Sequence, residues 1–256
     1  MKLRLRRGIV ASLLAITITL PGGARPAQAF DPVTIGTWIT LASQAYNLIK
    51  GVLGAGAASD AMKAAVVQII ASIESAKSEI LRHVDALSAA QASACARHHV
   101  IEFVDIDRFS PETLQRWAQD ATGCVVLIDS LIDVVTDKAQ IDLLNLALNA
   151  VGPIALAARL RAGFSTAGLT ATLRDGNNAV INRLAANCQT RTEIGPNYSY
   201  VIQIYSCYAY NGWAEARRQV YPPTSQPVID AVAIANQATR NTSRAVSFAV
   251  LPTLQF

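Results

Sequence analysis

The side chains best placed for chemistry in this 256-residue chain are His98, His99 and Glu102. On a helix, His98 and Glu102 fall one turn apart, so an imidazole nitrogen and a carboxylate point the same way and form a weak candidate pair of metal ligands. Asp105 is the nearest residue able to supply a third. The remaining histidine, His83, lies about four turns back along the same helix and is out of reach. Histidines near a helix end also serve simply to hold the last carbonyls. The expectation is therefore no metal and no cofactor.

Other arrangements carry less. There is no G-x-S-x-G, and nothing in the chain sets a base beside a serine. Asp105/Asp107 and Asp129/Asp133 are paired carboxylates, and the second pair reads as a solvated helix face. Gly51, Gly54 and Gly56 in GVLGAGAAS lack a preceding strand and a following Lys-Ser/Thr, so they read as a connector rather than a phosphate loop. No catalytic constellation emerges, and a non-enzyme is expected.

The four cysteines point to disulfides. They allow three connectivities. One is favoured by geometry: Cys95 and Cys124 lie nearly equidistant from a turn centred near Arg108 or Phe109, so an antiparallel helical pair would bring them together. That leaves Cys188 with Cys207. Such bonds suit an exported protein. The N-terminus agrees, with basic Lys2, Arg4, Arg6 and Arg7, an apolar run from Ile9 to Leu20, and Ala27-Gln28-Ala29 as a cleavage site. Residues 1–29 read as a signal peptide, with cleavage near Ala29 and a secreted product beginning at Phe30. Five bases and no acid leave with it, so 17 bases face 18 acids in the remaining 227 residues. A basic footprint for nucleic acid is absent. Ala and Arg enrichment hints at a GC-rich bacterial source.

The elements that must carry these residues are mainly helical. Val66, Ile70, Ile73, Lys77, Ile80, Val84, Leu87, Gln91 and Ala94 alternate steps of four and three, an apolar seam at coiled-coil spacing. The spacing predicts one helix from about Asp60 towards Asp105, roughly 45 residues and about 70 Å long. Ser110-Pro111-Glu112 is a strong helix start. Leu114, Trp117, Ala121, Cys124, Ile128, Leu131 and Val135 form a second seam. Together they predict an elongated antiparallel helical bundle built on a long helical hairpin.

LLNLALNAVGPIALAARL, residues 143–160, is the most apolar stretch beyond the leader. Asp142, Asn145 and Asn149 form a narrow polar stripe beside it, expected to face water, and Gly152-Pro153 is expected to bend or interrupt the helix. Eighteen residues make about 27 Å of helix, short of a bilayer core of about 30 Å. A nearly buried core helix is the reading. Residues 165–188 predict one or two helices interrupted near Arg174–Asn178. A strand or short hairpin is expected near 198–208, since Tyr198, Tyr200, Ile202 and Ile204 alternate. Trp213 to Val220 reads as a short helix. A last helix is expected over 227–250. The mature chain then forms a single domain: a helical bundle at 33–188, a small β/loop element at 189–225 and the C-terminal helix.

Tyr198, Tyr200, Tyr208 and Tyr210 make the best binding surface, since tyrosine offers rigid apolar area and a hydroxyl together. The function expected is a secreted, non-catalytic module for a protein or cell-surface partner. The alternative is a membrane-active protein that inserts 143–164 into lipid. In outline this plan (export, helical hairpin, interrupted apolar segment, small strand element) resembles helical pore-forming toxins. No residue motif carries the likeness, so it assigns no site residues.

Overall fold

A computed structural model describes residues 32–54 and 59–255. The expected signal peptide and its cleavage site lie outside the described residues, as does the middle of the glycine-rich connector. In chain order the helices are α1 (Pro32–Gly54), α2 (Ser59–Asp85), α3 (Ala90–Glu102), α4 (Pro111–Val134), α5 (Lys138–Arg161) and α6 (Ala167–Arg183). Strands β1 (Asn187–Ile194), β2 (Val201–Tyr208) and β3 (Trp213–Tyr221) follow, then α7 (Ala231–Ala238) and α8 (Ser243–Val250). The protein is mainly helical with one small antiparallel sheet, ordered β1-β2-β3.

The expected long helix is two helices. After Leu87 the continuing seam would have buried Gln91. Instead the chain turns at residues 86–89, and Ala92, Ala96 and Val100 face inward while Gln91 and Ala94 stay exposed. Gln140 accepts from the Ser88 amide at 2.8 Å, and Arg97 pairs with Asp85 at 2.7 Å across the break. A 3-10 turn at Phe103–Arg108 joins α3 to α4, whereas α2 leans on α1 and α5. Cys95 of α3 is bonded to Cys124 of α4, and Cys188 to Cys207 in the sheet, the pairing expected from the spacing. Ser110 caps α4 by accepting from the Thr113 amide at 3.2 Å. At its other end Arg183 of α6 donates to the Ile132 and Val135 carbonyls.

The centre of the molecule is α5. It is buried from Ile141 to Ala158 but for Leu143, and α1, α2, α3, α4, α6 and α8 pack around it. The helix runs unbroken through Pro153, contrary to the expected interruption. A proline inside a helix removes one hydrogen bond; enclosure by six helices outweighs that loss. Gly152 makes the enclosure possible, because a Cβ there would lie 2.3 Å from the Tyr46 hydroxyl and 2.6 Å from Leu173. The helix α6 also runs unbroken across Arg174–Asn178, and Gly176 there lets Asp129 and Leu148 approach. Asp129 is thus only half-exposed, not on a fully solvated face, and burial beside Asp133 and Asp175 pushes its pKa up to about 6.

Three further expectations change. Residues 213–220 form β3 rather than a helix, because β2 offers a full row of backbone partners from Val201 to Tyr208. The segment before the tyrosines is also a strand, β1, paired to β2 along its whole length. The last helix is split at Thr239–Thr242: α7, capped at its start by Asp230, ends at Ala238, and Thr242 caps the start of α8.

Candidate functional site

The polar stripe of α5, expected to be wet, is sealed in the core. Asn145 donates to the Ser243 carbonyl at 3.0 Å and to Ser247 Oγ at 2.8 Å, both on α8. Asn149 donates to Asn145 Oδ1 and to Asn177 Oδ1, each at 3.0 Å, and accepts from the Tyr46 hydroxyl at 3.4 Å. Asp142 accepts from the Ser243 amide and from the Tyr210 hydroxyl. Burial pushes the Asp142 carboxyl up to about 6 against those donors, and the Tyr210 hydroxyl is pushed upward by burial and by Asp142. Sealed polar groups of this kind must satisfy one another, since water cannot reach them. The stripe therefore dictates where α8 and the β2–β3 turn dock.

That turn fixes the sheet. Tyr210 reaches Asp142, Asn211 donates to the Asn241 carbonyl at 3.0 Å, and a Cβ on Gly212 would sit 2.5 Å from the Ala238 carbonyl. The Cys188–Cys207 bond lies at the same end, in register across β1 and β2. Alternation divides the sheet into two faces. Cys207 and Ala214 face α7, where Ala238 covers them. The opposite face is open at its rim, where Tyr208 and Trp213 are exposed, while Ile204 and Ser206 on its central strand are buried.

On the open face the register sets Tyr208 beside Trp213, Ser206 beside Glu215, and Ile204 between Arg191 and Arg217. Trp213 is 65% exposed and Tyr208 45%. Glu215 binds Arg191 at 3.1 Å, Arg217 at 2.8 Å and the Ser206 hydroxyl at 2.8 Å. Hydrogen bonds from Arg217 and Ser206 hold its carboxyl below the usual range. Arg217 also lies 3.6 Å from Glu193. Arg191, Tyr208, Asn211, Gly212, Trp213, Glu215 and Arg217 line an open depression of about 720 Å³.

The four tyrosines do not form one surface. Tyr208 is on the open face. Tyr198 is 72% exposed in the β1–β2 turn, outside the strand, and Tyr200 lies against Gly195 in that turn. Tyr210 is half-buried, with its hydroxyl committed to Asp142. Sequence reasoning missed Trp213, Arg191, Glu215 and Arg217. The period-two spacing of Trp213, Glu215 and Arg217 was the available signal, concealed by the helix-favouring Ala214 and Ala216 between them.

At the candidate metal position His98 is exposed, while His99 is buried and its Nδ1 donates to the Cys95 carbonyl at 2.8 Å. Burial lowers the His99 pKa, and its ring packs 5.1 Å from Trp117. Glu102 is half-buried at the end of α3. Among the described residues no three His, Cys, Asp or Glu side chains come together to hold a metal ion. No protein-family model, curated protein or solved structure matches this chain.

Proposed function

We propose that this protein is a secreted, non-catalytic binding module that presents the open face of its sheet to a protein or cell-surface partner. One observation carries the reading: exposed Trp213 and Tyr208 stand beside Arg191, Glu215 and Arg217 at the anchored end of the sheet. Aromatic and arginine side chains supply most of the energy in recognition surfaces. Anchoring by Cys188–Cys207 and by the Asp142–Tyr210 contact removes the ordering cost that a loop would bear on binding. Export is supported by the leader-like residues 1–29 and by two disulfides, which fit an oxidising environment.

The test has two parts. The mature N-terminus in culture medium should be Phe30. Labelled protein should bind intact cells, and the Tyr208→Ala/Trp213→Ala/Arg217→Ala variant should lose that binding while keeping its helical circular dichroism. Undiminished binding by the variant would refute the assignment of the face.

A second reading has one observation in its favour: α5 is long and apolar enough to cross a membrane. The buried position of α5 supplies a simpler cause for its apolarity, and extraction would strip Asn145 and Asn149 of their partners. Dye release from liposomes separates the two, with none expected at neutral or acidic pH.

A further inference from the structure

Resting on that reading, we infer that the depression holds an uncharged hexopyranose of a cell-surface oligosaccharide, one ring face laid on the Trp213 indole. The platform comes first. Trp213 and Tyr208 are register partners on adjacent strands, 65% and 45% exposed, and Glu215 and the two arginines rim them along the strands. A pyranose has the matching form, with C–H groups on a ring face and hydroxyls around the edge.

Charge balance selects within that form. Arg191 and Arg217 are matched by Glu215 and Glu193, so the face offers no net charge to an ion. An anion would have to displace a carboxylate from the arginines, and a cation an arginine from the carboxylates. A neutral diol needs neither. One hydroxyl accepts from a guanidinium N–H that its ion pair leaves unused, and the neighbouring hydroxyl donates to a free lone pair of Glu215. A guanidinium has five N–H donors, and these ion pairs occupy only some of them. The depression of about 720 Å³ is open to solvent and has room for more than one sugar ring. The disulfide and the docked turn hold the platform still before any ligand arrives.

The three tryptophans make the test direct. Trp38 is 1% exposed and Trp117 6%, so an added sugar can alter only the emission of Trp213. The mature protein is titrated with uncharged hexaoses of glucose, mannose, galactose and N-acetylglucosamine. At least one should shift the emission to saturation below about 10 mM. By calorimetry with that sugar, Trp213→Ala should abolish binding and Glu215→Gln should weaken it about tenfold, the loss of one charge-assisted hydrogen bond. No response to any of the four would overturn the inference. So would a response confined to a sulfated oligosaccharide with steep salt dependence. If the sugars fail while cell binding still depends on Trp213, the partner is a protein and the module stands. If cell binding fails as well, both readings fall.

Discussion

The polar stripe of α5 and the open face of the sheet contain similar chemical groups in opposite circumstances. In α5, one carboxylate and two amides are sealed away and bonded to Tyr46, Asn177, Tyr210, Ser243 and Ser247. On the sheet, two glutamates and two arginines bond to each other at the edge of solvent. A buried group that loses its partner bears the whole cost of desolvation, whereas an exposed ion pair exchanges protein for water at little cost. The interior set therefore specifies the fold, and the surface set is free to serve binding.

The contrast can be broken at several points. The largest effect is expected from Asn149→Leu, which strands Tyr46, Asn145 and Asn177 together and should cost about 3 kcal/mol or more in urea unfolding. Replacing Cys188 and Cys207 by alanine opens a loop of sequence separation 19 and should cost about 3 kcal/mol, with β1 the first segment to lose hydrogen-exchange protection. Tyr210→Phe removes one donor from a buried carboxylate and should lower stability by about 1.5 kcal/mol, which thermal melts would register. At the other extreme, Arg217→Ala should leave the melting temperature nearly unchanged, a loss below about 0.5 kcal/mol, while abolishing surface binding.

A pH series sharpens the same comparison. Burial raises Asp142 from 3.8 to about 6, so the native state holds its proton more tightly than the unfolded state does. The penalty of ionising it is complete above about pH 6, and it is relieved as pH falls towards 4. Asp129 shifts in the same direction; the lowered pKa values of buried His83 and His99 act oppositely, favouring the unfolded state as pH falls through 6.5. Those three are common to the wild type and to Asp142→Asn. Between pH 7.5 and 5 the wild type should therefore gain about 1 kcal/mol relative to the variant. An identical pH dependence in the two would show that Asp142 does not ionise in this range. No slope of this sign is expected from Glu215 on the sheet, whose carboxyl is held below the usual range by hydrogen bonds from Arg217 and Ser206.

Much of the helical scaffold was legible because its signals are local. Ser110 and Pro111 start α4, and the seam from Leu114 through Ile128 is its buried face. The same seam brought Cys124 opposite Cys95. The break between α2 and α3 was not legible, because a heptad tolerant of Lys77 gives no reason to reject Gln91. At Lys77 a side chain reaches Glu74 at 2.9 Å and stays half-buried; before Gln91, at residues 86–89, the backbone turned instead. For the candidate site, one residue of the four tyrosines, Tyr208, lies on the open face, and Trp213, Glu215 and Arg217 beside it were hidden in a segment with helical propensity.

Local order in the chain is enough to settle the helix-rich character, the buried faces of single helices and the pairing of cysteines across a short turn. Each depends on residues a few turns apart. The fate of Asp142, Asn145 and Asn149 depends on Tyr46, Asn177, Tyr210, Ser243 and Ser247, which lie 28 to 103 positions away and together decide whether the stripe meets water or protein. The strand at Trp213–Tyr221 likewise exists because β2 is beside it. Hydrogen bonds between distant segments have no trace in local spacing, so only the assembled fold could decide them.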